Sequence, residues 1–390
     1  MSASRSQPSR GKIIGTIYAA NLFLAFHYFL VVYINSSYLE GFLSPRNVGI
    51  LYSIGAFGTL CFLSVIPKLL RRYGTFRVLT TATLIEMGAL FTLAFGHATG
   101  VIAAAFVVQQ IAAPLIYFNL DILLEAQSKN SATGRLRGML FTVANVALIV
   151  SIFITSSILV SGNYLPVYVS AALLLIPFLA IAAIFFHNLK DPEYETPRFL
   201  KTAAVLFRNR NLRGIFMVSL LLQIFYAFMV IYTPIYLHSY LHFSWEDIGF
   251  ILTIMVLPFL LLEFPLGFLA DKFTGEREML VVGFLVMGGA TALIAFAPPT
   301  VVMLATLLFM TRVGASFVEM MSESYFFKHI DGSGANILGF FRLAFPFSYI
   351  IVPPIASALL GILPYQYLFL IVGMSMLWGI RYALTLKDTK

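Results

Sequence analysis

The stretch Ser244-Trp245-Glu246-Asp247-Ile248-Gly249 follows the pattern of Ser44-Pro45-Arg46-Asn47-Val48-Gly49, 200 residues earlier. Only the serine and the glycine are identical, so the two hexamers alone would be a chance match. Each hexamer, however, joins two long apolar segments, and a basic turn follows each pair, at 71–73 and at 271–273. Because the hydropathy of the whole chain repeats at the same offset, we predict a membrane protein made of two similar halves. This organisation is typical of solute carriers that bind their cargo between the halves.

The composition places the chain in lipid. Of its 390 residues, 60% are hydrophobic and 11% are charged, against roughly 25% charged residues in a soluble domain. The net charge of +8 does not indicate a nucleic-acid partner, because the basic residues lie between apolar segments and not on one face. Cys61 is the only cysteine, so no disulfide forms within the chain.

Twelve apolar segments are long enough to cross a bilayer, which takes about 20 residues of helix. The first follows a short basic N-terminus without a small-residue cleavage site, so we expect a retained helix and not a signal peptide. The segments lie at about 13–35, 47–69, 76–96, 100–124, 136–160, 164–187, 213–237, 247–269, 279–297, 300–325, 334–361 and 364–386.

The distribution of Lys and Arg predicts the orientation. With the N-terminus in the cytoplasm, 22 of the 25 basic residues fall at the two termini and in the inner connections, and Arg46 is alone in the six outer loops. Arg312 and Arg342 lie within predicted helices. Since basic loops remain on the cytoplasmic side, we expect an integral multi-pass protein of the cell (inner) membrane with both termini cytoplasmic.

The longest connection divides the helices six and six. We expect a six-helix bundle at 1–188, a cytoplasmic linker at 189–212 and a second six-helix bundle at 213–390. The linker is either a charged tether or, through its apolar positions between 199 and 206, a short helix on the inner membrane face. The predicted fold is an all-α membrane protein with twelve transmembrane helices in two pseudo-symmetric six-helix bundles.

A known motif follows the eighth predicted helix. The chain reads Gly267-Phe268-Leu269-Ala270-Asp271-Lys272-Phe273-Thr274-Gly275-Glu276-Arg277, with one extra residue before Gly275. After the second helix only Arg71-Arg72-Tyr73-Gly74 remains, and Leu70 stands where the motif has an aspartate. Through this motif and the six-plus-six layout, the chain resembles the major facilitator superfamily of secondary transporters over nearly its full length.

The resemblance implies a latch that holds the cytoplasmic side closed and breaks in the inward-open state. Its glycine lets another helix approach closely, and its aspartate accepts bonds from a helix N-terminus or an arginine. The alternative is a set of ordinary loop charges. The latch candidates are Gly267, Asp271, Lys272, Gly275 and Arg277, together with Asp121, which we expect to cap the inner gate from helix four.

The tenth predicted helix carries the densest set of charges within the membrane. Arg312, Ser316, Glu319 and Glu323 are spaced 4, 3 and 4 apart and therefore share one face. Arg342 in the next helix reaches a similar depth. By resemblance, helices one, four, seven and ten line the central cavity. One hypothesis is that Arg312 binds an anionic or polar group of the substrate while Glu319 or Glu323 takes a proton. The alternative is a static ion network that joins helices ten and eleven.

Neutral polar and aromatic residues on helices one, four, five and seven predict a mixed pocket. Each of them alone is more often a helix-packing residue, and Glu86, on the peripheral third helix, is expected to make a structural hydrogen bond. The pocket candidates are Asn21, His27, Gln109, Asn145, Gln223 and Tyr226.

The residues favour a proton-linked carrier that moves a small organic solute by alternating access. Two other classes remain open: a non-transporting membrane sensor or scaffold of the same fold, and a multi-pass membrane enzyme. The six histidines are scattered, and the chain has no nucleophile–base set and no phosphate-binding loop, so we expect no catalytic residues, no cofactor and no metal. The expected partners are the solute, H⁺ and membrane lipid, with no nucleic acid, and we expect a monomer.

Overall fold

A computed structural model describes the protein at residues 10–127, 133–187, 189, 199–272, 275–328 and 340–387. This part of the chain is helical apart from short turns. Single turns of π-helix lie at Ala182–Phe186 and at Tyr236–Tyr240. The helices are α1 (Arg10–Val32), α2 (Asn35–Glu40), α3 (Pro45–Tyr73), α4 (Thr75–Phe95), α5 (Thr99–Gln127), α6 (Thr133–Leu159), α7 (Leu165–Ile181), α8 (Phe199–Arg208), α9 (Arg210–Ile235), α10 (Trp245–Lys272), α11 (Glu276–Ile294), α12 (Val301–Lys328), α13 (Ala344–Leu360), α14 (Tyr367–Leu377) and α15 (Gly379–Ala383).

The prediction of an all-α protein with twelve membrane helices is confirmed. Eleven segments of the described chain are long and apolar enough to cross a membrane. The twelfth is a shorter apolar segment, Tyr367–Ala383, that is broken between α14 and α15. Gly379 begins α15, and a Cβ at this position would overlap the Phe284 ring of α11. The close packing of this segment on α11 therefore requires glycine.

The helices pack in two groups. In the first, α1 packs against α5, α6 and α7, and α4 packs against α5 and α7. In the second, α12 packs against α9, α10 and α11, while α11 also contacts α14. Small residues permit the close approaches, because apolar helices in lipid associate through backbone proximity. At Gly373, a Cβ would lie 2.5 Å from the Ala292 nitrogen and 2.6 Å from the Gly288 carbonyl oxygen.

The linker helix α8 and the short helix α2 are too short to cross the membrane. Helix α8, one of the two alternatives expected for the linker, packs against α9 through an edge contact between the Phe207 and Phe216 rings, 5.8 Å apart. Helix α2 lies in the first predicted outer loop, where six residues with four polar side chains give no hydropathy signal.

The repeated hexamer of the sequence performs the same two tasks in both halves. Ser44 and Ser244 each accept a hydrogen bond from the backbone N–H three residues on, and so cap the first turns of α3 and α10. Gly49 and Gly249 lie where the two groups of helices touch. A Cβ at Gly49 would lie 2.9 Å from Tyr232 Oη, and one at Gly249 would overlap the side chain of Ser156. The first contact joins α3 to the second group, and the second joins α10 to α6.

We call the end of the bundle that contains Gly49 and Gly249 the gate end. Ser239 Oγ donates a hydrogen bond to Glu40 Oε2 at 2.5 Å across the two groups, and the Tyr164 and Trp245 rings meet edge to face at 5.8 Å. Burial raises the pKa of Glu40 above its ordinary value, and the hydrogen bond from Ser239 lowers it in part. The two halves are therefore in contact at the gate end.

Candidate functional site

Arg312 is the centre of the candidate site. The side chain lies in the middle of α12 and is 2% exposed. Its guanidinium carbon lies 5.2 Å from the ring centroid of Phe225, 5.1 Å from Tyr226 and 5.6 Å from Phe259. The Nε is buried without a hydrogen-bond partner, and no carboxylate among the described side chains lies within 4.0 Å of the guanidinium. The cation is therefore held by aromatic faces and not by an anion.

The free-energy cost of burying Arg312 has two parts, its charge and its hydrogen-bond donors. An arginine at the centre of a membrane helix costs about 2.5–3.5 kcal/mol. A desolvated cation–π contact contributes up to about 2 kcal/mol, so three rings can offset the cost of the charge. Aromatic faces are poor acceptors, however, and the Nε donor of the guanidinium is buried without one. Acceptor oxygens, such as those of a carboxylate or a phosphate, are the groups that match guanidinium donors.

Tyr226 connects Arg312 to Glu319. The ring of Tyr226 lies beneath the guanidinium, and its hydroxyl donates a 2.6 Å hydrogen bond to Glu319 Oε2. Arg312 attracts the Glu319 carboxylate electrostatically, although the two make no ion pair. Ser316, the fourth member of the predicted stripe, donates to the backbone oxygen of Arg312 at 2.9 Å and is fully buried. Its hydroxyl is thus used within α12.

Glu323 and Arg342 form the ion pair of this region. The Arg342 Nη1 and Glu323 Oε1 atoms are 3.8 Å apart, and the two side chains are 43% and 31% exposed. The structure therefore divides the predicted charge stripe in two. A buried, unpaired arginine with a nearby glutamate lies deeper, and a partly exposed ion pair lies one turn further along α12.

A small cavity lies between the two groups of helices. Its volume is about 30 Å³, enough for one or two water molecules. Tyr28, Asn35, Tyr52 and Gln110 line it from the first group, and Tyr349 lines it from the second. The Tyr52 hydroxyl is buried without a protein partner, and Tyr349 interacts electrostatically with Arg312.

The pocket candidates from sequence separate in the structure. Tyr226 belongs to the Arg312 cluster, and Gln223 and Asn145 are half-buried. Asn21 is buried and donates to the Leu140 backbone oxygen at 3.3 Å, which ties α1 to α6. The other two candidates, His27 and Gln109, are buried.

His27 faces Glu86 of α4 within the first group of helices. His27 Nε2 lies 3.0 Å from Glu86 Oε1, and both side chains are fully buried. The expected hydrogen bond of Glu86 is therefore made to a residue that sequence reasoning had assigned to the pocket. Gln109 lies in the same cluster, and its Oε1 has no hydrogen-bond partner.

The latch candidates lie at the ends of α10, α11 and α5. The backbone from Gly267 to Lys272 forms the last turns of α10, and the side chains of these residues lie outside the described part of the chain. Gly275 immediately precedes α11, and Arg277 in its first turn is half-exposed. Asp121 is exposed near the end of α5. The latch therefore stays a prediction.

Sequence reasoning missed the residues that hold Arg312 from other helices. Phe225 and Phe259 are two of 38 phenylalanines, and Tyr349 is one of 19 tyrosines, so composition gives no reason to choose them. The sequence offered one signal for Phe225, which immediately precedes the pocket candidate Tyr226. Ring contacts between α9, α10 and α12 depend on the rotation of each helix about its axis, which hydropathy does not report.

Two similar groups of long apolar helices, with ionisable residues buried inside each group, indicate an integral multi-pass membrane protein of the transporter class. The sequence profile of the Major Facilitator Superfamily matches residues 14–250 and 239–389, and the chain belongs to this family. The resemblance that the motif after helix eight suggested is confirmed.

Two solved structures share the fold over almost their whole length. The structure of the nucleoside transporter NupG has a TM-score of 0.75 at 14% identity, over 96% of this chain and 98% of NupG. A point mutant of NupG has a TM-score of 0.76 at the same identity, over 96% of this chain and 100% of the other. At this identity the likeness shows the fold alone. No curated protein matches the sequence.

Proposed function

We propose that this protein is a proton-coupled secondary transporter that moves a small organic anion by alternating access. Its halves, 1–188 and 213–390, move against each other about the linker 189–212. Both termini face the cytoplasm of a cell membrane, and the gate end faces outward. Arg312 binds the anionic group of the solute, and Glu319 carries the proton.

The observation that carries this proposal is the buried and unpaired guanidinium of Arg312. Its charge is compensated by three rings, but its Nε donor lacks an acceptor. A carboxylate or phosphate of the solute supplies acceptors in bidentate geometry, which favours arginine over lysine at such a site.

Binding of the solute and binding of the proton are coupled because the charge of Arg312 acts on both the anionic solute and Glu319. In the empty site Arg312 attracts the carboxylate of Glu319, which Tyr226 also supports with its hydroxyl. A bound anion neutralises Arg312, so Glu319 loses that attraction and binds a proton. Anion and proton then cross together without net charge, and each favours the binding of the other.

The cytoplasmic latch belongs to the same cycle. By the family resemblance, Gly267, Asp271, Lys272, Gly275 and Arg277 close the inner side when the gate end opens, and Asp121 caps that side from the first half. Contact between the halves at the gate end agrees with an outward-closed state.

Untargeted mass spectrometry of energised cells tests the function. Solute contents are compared with and without the protein, with and without a protonophore, and with Arg312→Gln in place of the wild type. The proposal expects an organic anion whose level changes only in energised cells that express the wild type. The panel includes nucleosides and nucleotides, since the fold is shared with a nucleoside transporter. A neutral or cationic cargo that Arg312→Gln still moves would contradict the role of Arg312.

Replacement of single carboxylates tests the proton role. Glu319→Gln is expected to abolish accumulation driven by a pH gradient and to retain exchange of labelled for unlabelled solute. Glu278→Gln, the same chemical change at an exposed position on α11, is the matched control. Loss of accumulation in Glu323→Gln, with normal accumulation in Glu319→Gln, would assign the proton role to Glu323, which pairs with Arg342.

A further inference from the structure

The pair of His27 and Glu86 lies in the first half, away from the Arg312 site. His27 is in α1 and Glu86 is in α4, and both side chains are fully buried. His27 Nδ1 lies 2.8 Å from the backbone oxygen of Leu24, and His27 Nε2 lies 3.0 Å from Glu86 Oε1. Transport chemistry at Arg312 makes no use of this pair.

The geometry fixes the number of protons on the pair. A carbonyl oxygen only accepts, so Nδ1 of His27 carries a hydrogen and donates it to Leu24. Nε2 is then the ring atom that faces Glu86. Two lone pairs would repel at 3.0 Å, so one proton lies between Nε2 and Oε1. The pair is either an imidazolium with a carboxylate or an imidazole with a carboxylic acid, and it is neutral in both cases.

Loss of that proton would leave a net negative charge in a fully buried place and two acceptors facing each other. The contact between Nε2 and Oε1 would then have to open, because a buried charge without a partner is costly. The proton content of the pair is therefore tied to the packing of α1 against α4. Proton exchange at this site changes the structure of the first half.

Two orphaned oxygens distinguish the pair from a closed structural bridge. Glu86 Oε2 and Gln109 Oε1 are both buried without a hydrogen-bond partner within 3.5 Å, although the Gln109 side chain lies close enough to Glu86 to stabilise its carboxylate. A purely structural network is expected to satisfy its buried acceptors, since each unsatisfied one costs about 1–3 kcal/mol. A proton bound at Glu86 Oε2 would turn one of these acceptors into a donor. The cluster thus has capacity for proton binding.

A tyrosine pair separates the cluster from the cavity. The Leu24 oxygen that accepts from His27 also accepts from the Tyr117 hydroxyl of α5 at 3.2 Å. Tyr117 meets Tyr28 edge to face at 5.7 Å, and Tyr28 lines the cavity between the halves. Movement of these rings, which opening of the cavity requires, would expose the cluster to water.

The charged surroundings of the cluster are sparse. Tyr28 and Tyr117 interact electrostatically with Glu86, and Asp121 acts on Tyr117 from one turn further along α5. On α7, which packs against α1 and α4, the titratable side chain is Tyr168. On α6, Ser151 contacts α1 beside His27. The nearest charged position of α6 is residue 137, about 21 Å along the helix from Ser151. Charged residues of α3 lie towards its ends. Among the described side chains, no charge near the pair replaces the one that it would gain or lose.

We propose that His27 and Glu86 form a proton-binding site of the first half, separate from Glu319, which takes up and releases one proton in each transport cycle. The use of the site in transport rests on the proposed function, whereas proton binding itself can be measured without any solute.

The first test measures protonation directly in the purified full-length protein. Infrared difference spectra between about pH 5 and 8 report neutral carboxyl groups, and histidine-selective labelling reports the six imidazoles. Because one proton changes one of the two groups, we expect either a carboxyl change or an imidazole change within this range, absent in Glu86→Gln and present in Glu319→Gln. A pair that keeps one protonation state over this range would overturn the proposal.

Two further measurements keep the test decisive. If Glu86→Gln does not fold, His27→Gln is used in its place and the imidazole signals of the wild type are assigned. The assignment is possible because His27 is the fully buried histidine among those the structure describes, while His242 is exposed and serves as a reference. In proteoliposomes with an identified solute, Glu86→Gln is expected to lower the number of protons moved per solute by one. An unchanged ratio with less folded protein would mean a structural role. If no solute is found, the spectra still decide whether the pair binds protons.

Discussion

The contact between Gly249 and Ser156 predicts that one methyl group opens the gate end. Gly249 of α10 lies against the side chain of Ser156 in α6, and a Cβ on Gly249 would overlap both Ser156 Cβ and Oγ, closer than the 3.0 Å that real Cβ atoms respect. Gly249→Ala therefore cannot be accommodated unless α6 and α10 move apart. We expect the variant to shift the protein towards the state that is open at the gate end.

The size of the effect follows from the contact atoms. Overpacking of a well-packed interface costs about 1–3 kcal/mol. Under the proposed alternating access the cost falls on the closed gate alone, because α6 and α10 would separate on opening. The ratio of open to closed molecules is therefore expected to rise by about 5- to 150-fold.

Distances between spin labels measure this ratio. Labels at Asn163→Cys and Glu246→Cys lie on exposed residues of the two halves at the gate end. Cys61 is the single native cysteine and is exposed, so Cys61→Ser provides the background. Double electron–electron resonance of the labelled protein in nanodiscs should show a short distance in the parent and a larger share of a long distance in Gly249→Ala.

Two matched variants separate overlap from a general effect of Gly→Ala. Gly289 of α11 has open space around it, so Gly289→Ala should leave the distances unchanged. Ser156→Gly removes the overlapping atoms, after which the nearest atom is Ser156 Cα at 3.7 Å, an ordinary contact. The pair Gly249→Ala with Ser156→Gly should therefore restore the short distance. A Gly249→Ala protein with the distances of the parent would refute the reasoning.

Three smaller perturbations extend these expectations. Gly49→Ala places a Cβ 2.9 Å from Tyr232 Oη and 3.0 Å from Pro353 Cβ, so its shift of the same label distances should be smaller than that of Gly249→Ala, and an equal or larger shift would count against the contact model. Burial raises the pKa of Glu40 in the closed gate above its ordinary value of 4.5, so closure is favoured most below pH 4.5 and loses this advantage as the pH rises through the raised value. Glu40→Gln should make the label distances independent of pH, and a pH dependence that persists would assign it elsewhere. Arg312→Lys keeps the charge but loses the planar fork of donors, so the KM for solute uptake should rise at least about tenfold, and an unchanged KM would show that a point charge suffices.

The membrane architecture could be predicted from local sequence alone. A run of about 20 apolar residues is helical in lipid, because every backbone group must find its partner within the segment. The repeated serine and glycine of the hexamers were visible before the structure, and both have a physical role, as helix caps and as contact points between the halves. What the sequence did not reveal is which residues the two glycines touch.

The candidate site could be predicted in part. Arg312 and Glu319 were named from their cost in the membrane and from their spacing on one face, and Tyr226 was named as a neutral pocket candidate; the structure brings these three together. The pairing was not predictable. Arg312 makes no ion pair among the described residues, while Glu323 pairs with Arg342, and a shared face allows either arrangement.

Sequence by itself determined the class, the number of helices and the list of costly polar residues, because these depend on composition and on local free energies of transfer. Tertiary structure alone decided the partners: His27 with Glu86 across 59 positions, three rings around Arg312, and Gly249 against Ser156. The physical reason is that lipid-facing and helix-facing surfaces are both apolar in a membrane protein. Hydropathy therefore does not report the rotation of each helix, and that rotation sets which side chains meet.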